Sequence, residues 1–316
     1  MSVQKTQQLP LVGRVKDTWR QMKESWIAYV LIAPFMICFC IFIVGPVLSA
    51  TVLSFTSYDS IQPPVFTGLN NFVKMFTKDV VLMKFVIPNT LLFAVVVGPI
   101  GYALQFGLAW MINKAPRKMK KPYIMAIYAP SIAGGVLISV VWQVFFSSDR
   151  LGYLNDILLN MGVINTPVAW TQDKNWLLPI MMLVTLWSSM GVGFLSLFAG
   201  MQNVDEQLYE AGKIDGIQSP LLELFYITIP SMKPQMLFSA VMAIVNALKS
   251  GSIGVQLSGQ NPTPNYAGQL IQSHIEDYGF ARFELGYATA LSFMLLVVTY
   301  ILSRVCFRFL GAKEGE

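Results

Sequence analysis

Six stretches of this chain, near residues 27–55, 86–112, 122–146, 177–200, 236–257 and 286–310, are apolar for at least the length a membrane-crossing helix needs. Roughly 20 such residues span about 30 Å of hydrocarbon. In that medium every backbone N–H and C=O must be satisfied within the chain, so runs of this length are expected to form helices. Composition agrees: 54% of residues are hydrophobic, 12% are charged and the mean hydropathy is +0.55, whereas a soluble domain carries about 25% charged residues. That excludes a soluble globular enzyme, a disordered chain and a nucleic-acid module. The first run is too long, starts too late and lacks the small-residue cleavage site of a signal peptide.

The net charge of +5 is read through its distribution. With six spans, Lys and Arg in residues 1–26, 113–121, 201–235 and the C-terminal end number fifteen, against six in the three intervening loops; Lys249 falls within the fifth run. Cations collect on the cytoplasmic side, which puts both termini there, and an even number of spans requires the same. In residues 1–26, Val12, Val15, Trp19, Met22 and Trp26 recur at helical spacing beside Arg14, Lys16, Arg20 and Lys23. This predicts an amphipathic helix lying in the membrane interface, with a disordered basic tail as the alternative. Cys38, Cys40 and Cys306 sit in apolar runs and read as small buried hydrophobes without disulfides. The one histidine, His274, reads as solvated, as do Asp59, Asp79 and Asp173, and no His/Cys cluster has metal-ligand spacing. Glycines 98, 101, 107, 134 and 135 read as close-packing or bend positions.

The loop between the fourth and fifth runs is the most informative segment. Asp205 is a candidate N-cap for a helix through Ile214, and Gly216 can adopt the left-handed conformation that ends it. Ser219 then caps a second helix with Pro220 at its first position, and Pro230 and Pro234 interrupt the chain before the fifth run. Leu208, Ala211, Leu221, Leu222, Leu224 and Phe225 give this helix–turn–helix an apolar surface for a partner.

These residues resemble the EAA loop of the permease subunits of binding-protein-dependent ABC importers. Glu210-Ala211-Gly212 and Gly216 match its head and Ile229-Pro230 its tail, while Lys213-Ile214-Asp215-Gly216 follows the branch of maltose- and glycerol-phosphate-type permeases. Gly212 replaces the usual second Ala, a change worth roughly 1 kcal/mol of helix stability. The resemblance extends to Pro130, Trp142, Phe146, Asp149, Gly152 and Asn155 near the third run, to Trp187 and Ala199-Gly200-Met201-Gln202, and to Phe283 through Ser292. It departs at Gly259-Gln260-Asn261-Pro262, where Gly-Gly-Pro is usual.

The resemblance implies an all-α integral membrane protein of the type I ABC importer permease class. The expected organisation is an interfacial helix over 1–26, a six-helix transmembrane domain over 27–312 with its coupling loop at 203–234, and a tail over 313–316. It implies a second homologous permease, two ATPase subunits below, an extracellular sugar-binding protein above, surrounding lipid and no nucleic acid, in a bacterial or archaeal cell membrane. It places Glu210, Ala211, Gly212, Asp215 and Gly216 against an ATPase, Glu210 making polar contacts and Gly216 the turn. An ordinary amphipathic connector would share the capping and turn chemistry. No Gly-x-x-x-x-Gly-Lys-Ser/Thr occurs, so no cofactor is expected in this chain, and ATP and Mg belong to the partner ATPases.

Polar groups within spans are costly and mark function. Met242, Asn246, Lys249 and Ile253 share one helical face, with Ser239 and Ser250 nearby, and Thr185, Ser188 and Ser189 lie within one turn of the fourth run. Lys249 would cost about 2.5–3.5 kcal/mol at a helix centre, so it is not expected to face lipid. Asn246, Lys249, Thr185, Ser188 and Ser189 are the candidate solute path for a neutral or acidic sugar. The alternatives are an ion pair of Lys249 with the partner permease and hydroxyls that serve helix contacts. At the level of function, the alternatives are a permease for a non-sugar solute, an integral-membrane enzyme, which lacks the needed His or carboxylate cluster, and an ion-coupled carrier, which lacks acidic residues within spans.

Overall fold

The computed structural model describes residues 25–310, and the helix expected over 1–26 and the tail over 313–316 lie outside that range. The chain divides into two units at Val52–Leu53. In the first, α1 (Trp26–Leu53) is a 28-residue apolar helix with one π turn at Cys40–Val44. Cys38 and Cys40 are exposed on it, and Cys306 is half-buried. All three are free, but the expectation that they are buried fails.

The second unit opens with a two-residue ribbon, β1 (Thr56–Ser57) against β2 (Val65–Phe66), and a short helix, α2 (Asn70–Thr77). Then follow α3 (Leu82–Lys114), α4 (Arg117–Ile132), α5 (Gly135–Phe145), α6 (Tyr153–Asn160), α7 (Leu177–Ser188), α8 (Val192–Gln202), α9 (Glu206–Ile214), α10 (Pro220–Glu223), α11 (Lys233–Lys249), α12 (Ser252–Ser258), α13 (Ile271–Glu276) and α14 (Leu285–Leu310). The core lies where α3, α7 and α12 meet around Phe93, Leu177, Met181 and Leu257. A second cluster, around Phe194, Leu197 and Met232, joins α3 and α8 to the start of α11.

Among the described residues, four helical stretches are long and apolar enough to cross a membrane: α1, α3, α7 with α8, and α14. A fifth is the pair α11 and α12, bent by 48°. The expected third span is divided into α4 and α5, because Gly134 between them has φ of +81°, outside the right-handed helical region. Six equivalent straight helices are therefore not what the chain forms. At the bend after α11, a Cβ on Gly251 would lie 2.3 Å from Cβ of Gln272, so only glycine lets α13 pack there. Gly286 likewise begins α14 against the ribbon, where a Cβ would sit 2.2 Å from the Thr56 carbonyl oxygen. Gly101 approaches Leu186 and Ser189, but a Cβ on Gly98 or Gly107 would meet nothing within 4 Å.

Candidate functional site

The loop between α8 and α11 forms by local rules. Asp205 caps α9, its Oδ1 accepting the Gln207 N–H at 2.9 Å. At the far end Ile217 N–H donates to the Gly212 carbonyl at 2.8 Å and Gly216 N–H to the Lys213 carbonyl at 3.2 Å. With Gly216 at φ +90°, this is a Schellman stop. Pro220 starts α10 as expected, but Ser219 makes no side-chain cap bond. The chain then runs through a π turn at Leu224–Thr228. Glu210, Ala211, Asp215 and Gly216 are exposed, while Gly212 is buried. A Cβ on Gly212 would stand 2.6 Å from Ile227 Cδ1, so the missing methyl seats α9 on the segment beneath it. Ile214 at the tip is 88% exposed, and Leu208, Leu221, Leu222 and Phe225 are also exposed. Leu224, expected on that surface, is buried.

Two cavities lie among the long helices of the second unit, and a third, of about 560 Å³, lies beside the loop between α5 and α6. Of the first two, one, of about 610 Å³ between α3, α11 and α14, is lined mostly by aliphatic side chains, with Thr90 and Tyr102 its polar ones. The other, of about 490 Å³, brings together Thr185, Ser188, Ser189, Asn246 and Lys249, with Gln105, Ser131 and Ser250. All five candidate solute-path residues therefore line one space, and among the described residues no carboxylate lines it. The Thr185 hydroxyl is buried there without a hydrogen-bond partner among the described residues. The Ser188 hydroxyl donates to the Val184 carbonyl at 3.0 Å and that of Ser189 to the Leu186 carbonyl at 2.7 Å, so both are partly engaged with their own helix.

The bend after α11 changes the setting of Lys249. It is the last residue of α11 rather than a mid-helix residue, and it is exposed. The negative end of the helix dipole favours a cation at that place. Ile253, expected on the same face, lies past the bend and packs into the core.

Gln105 was not foreseen as a site residue. It is 3% exposed. Its amide donates to the Ser189 carbonyl at 2.8 Å and accepts from the Ser239 hydroxyl at 3.2 Å, tying α3 to α11 and to the break between α7 and α8. Gly193 makes room for it, since a Cβ there would lie 2.6 Å from Gln105 Oε1. The sequence signal was a lone amide within an apolar run.

His274 and Asp79 overturn the expectation that they face water. Both are buried, at 1% and 6% exposure, and His274 Nε2 lies 2.8 Å from Asp79 Oδ2. Tyr287 O–H donates to the same oxygen at 2.8 Å and Leu82 N–H to Oδ1 at 2.9 Å. Burial raises the Asp79 pKa, but these hydrogen bonds outweigh it and hold the carboxyl down at about 2. The cluster joins the starts of α3 and α14 to α13. Asp59 stays exposed, its Oδ1 accepting the backbone N–H groups of Gln62 and Ile61, which lower its pKa. Asp173 is half-buried and accepts the Asn175 N–H. Asn155, fully buried, binds the Val168 backbone, the Ser147 carbonyl and the Trp170 indole, which orders the loop between α5 and α7.

Several helices long and apolar enough to cross a membrane make this, as a class, a multi-pass helical membrane protein, with a polar cavity among its helices. The comparisons say which kind. The chain is 30% identical over 289 residues to the "Probable ABC transporter permease protein YesP" of Bacillus subtilis (strain 168), covering 90% of this chain and 91% of that protein. It is 26% identical over 312 residues to the arabinooligosaccharides transport system permease protein AraP of the same organism, covering 97% of this chain and 96% of that one. Among solved structures, the fold matches a chain of a bacterial alginate ABC transporter in complex with alginate pentasaccharide-bound periplasmic protein. There the TM-score is 0.76 at 22% identity, over 92% of this chain and 96% of that one. No family model matches the sequence. The chain belongs to the family of ABC transporter permeases.

Proposed function

We propose that this chain is the permease subunit of an ATP-driven importer, forming with a second, homologous permease the path for a sugar or oligosaccharide delivered by an extracellular binding protein. The observation that carries this reading is the cavity itself: Thr185, Ser188, Ser189, Asn246, Gln105 and Lys249 surround it without a carboxylate. Hydroxyls and amides suit a solute rich in hydroxyl groups, and an unopposed ammonium suits an acidic substituent. The names of relatives support the solute class, since AraP is a permease for arabinooligosaccharides and the alginate transporter is bound to a sugar-loaded periplasmic protein.

In this reading α9 is the ATPase contact. Glu210 and Asp215 present carboxylates, Ile214 an apolar tip, and Gly216 fixes the turn, while Gly212 and Ala211 keep the helix low and smooth. Two ATPase subunits, holding ATP and Mg, close beneath the pair of permeases. Their movement, transmitted through α9, rocks the helices so that the cavity opens to alternate sides. Both termini lie in the cytoplasm, and this chain hydrolyses nothing itself. The test is assembly: the chain co-purifies with its cognate ATPases and second permease, and ATP hydrolysis rises when the sugar-loaded binding protein is added. Turnover or exchange by the purified chain alone contradicts the reading.

A further inference from the structure

The hook is bolted to the rest of the molecule at one residue outside the motif. Glu223, the last residue of α10, is buried, and its Oε2 takes the Lys114 ammonium at 2.5 Å. Lys114 is the last residue of α3 and stands in its final turn, where the helix dipole also favours a cation. The backbone carbonyl of Glu223 accepts the Thr228 hydroxyl at 3.3 Å, and that oxygen lies 2.8 Å from the hydroxyl of Tyr209 on α9. Together with the seating of Gly212 on Ile227, these contacts lead from α9 to Glu223 and from Glu223 to α3. Along α3, Gln105 then grips the Ser189 carbonyl and Ser239 beside the cavity.

We propose that the Lys114–Glu223 ion pair is the strut by which displacement of α9 reaches α3 and the cavity, making both positioning residues of transport. The inference rests on the reading of α9 as the ATPase-facing element. The Lys114 side chain is 45% exposed and that of Glu223 12%, so the pair meets water on the lysine side, and opening it leaves the carboxylate without its cation in a poorly solvated place. The other ties of the hook run through the π turn at Leu224–Thr228 and through α8 and α11, which meet α3 by apolar packing around Ala109, Ile112, Phe194 and Met232 and can slide; among the described residues the ion pair is the charged link from the hook to α3.

The test uses the assembled importer with Cys38, Cys40 and Cys306 replaced by Ala. A reporter, Val192→Cys, is placed at an exposed position of the cavity wall. Labelling by a water-soluble maleimide is timed without nucleotide and with a non-hydrolysable ATP analogue and Mg. The expected rate change in the parent is about fivefold or more, the size of an ordinary coupling between sites. Lys114→Met and Glu223→Gln, the latter keeping volume and an acceptor, should cut the change to less than about twofold while the ATPases still co-purify. The reversed pair, Lys114→Glu with Glu223→Lys, should recover it. Single variants that keep the whole change, or a reversed pair no better than the singles, overturn the strut. A parent with bound ATPases and no nucleotide response overturns the reading of α9 and the strut with it.

Discussion

Replacing Gly216 separates the geometry of the hook from its mere presence. Its φ of +90° lies where a side chain costs about 1–2 kcal/mol, so Gly216→Ala should loosen the turn by that amount. Asn tolerates the left-handed region better and should fall below Ala in effect. Pro is fixed near −65° and lacks the N–H that Gly216 gives to the Lys213 carbonyl at 3.2 Å. Its cost is about 3 kcal/mol, the lost hydrogen bond included. A nine-residue helix has no stability of its own to absorb that, so α9 should unravel at its C-terminal end. The damage stays local, since a Cβ on Gly216 would meet nothing within 4 Å and the buried clusters around Phe93 and Phe194 are elsewhere. In the reconstituted importer, solute uptake per ATP hydrolysed is therefore expected to fall in the order Asn, Ala, Pro, with normal membrane insertion throughout. Coupled uptake by Gly216→Pro at the parental ratio, or Asn as harmful as Pro, refutes the reasoning.

Two further outcomes follow from the cavity and the buried cluster. Lys249→Ala should reduce uptake of a uronic oligosaccharide far more than that of a neutral one of equal length; equal losses would remove any charge-reading role. Asp79, held at about 2 in the folded chain against an ordinary 3.8, gives stability that is whole above the ordinary value and is lost as pH falls through the folded one. The shift corresponds to roughly 2 kcal/mol, so the detergent-purified chain should lose thermal stability between about pH 4 and pH 2, and Asp79→Asn should flatten that limb. An unchanged acid limb in the variant would show that the carboxylate carries no such stability.

What could be read from sequence was what depends on neighbours in the chain. Run length placed α1, α3, the α7–α8 pair and α14. The cap at Asp205 and the stop at Gly216 were legible because a Schellman end is made by residues within one turn of each other. Breaks imposed from afar were not. A glycine in an apolar run reads the same whether it packs, like Gly101, or turns the chain, like Gly134. The need for glycine at 251 comes from Gln272, brought in by the fold. Helical spacing put Asn246 and Lys249 on one face, but their convergence with Thr185 depends on the fold bringing α7 and α11 to one cavity. The His274–Asp79 bond joins residues 195 apart, and the polar loop context of each gave the wrong burial for both.

The account depends most on where the exposed tip of α9 points. A photo-cross-linking amino acid at Ile214, 88% exposed, and at Leu151, 89% exposed in the loop between α5 and α6, tests this in membranes holding the full importer. The account predicts that position 214 captures an ATPase subunit and position 151 never does. Capture of the ATPase from position 151, or of an extracellular protein from position 214, would contradict it.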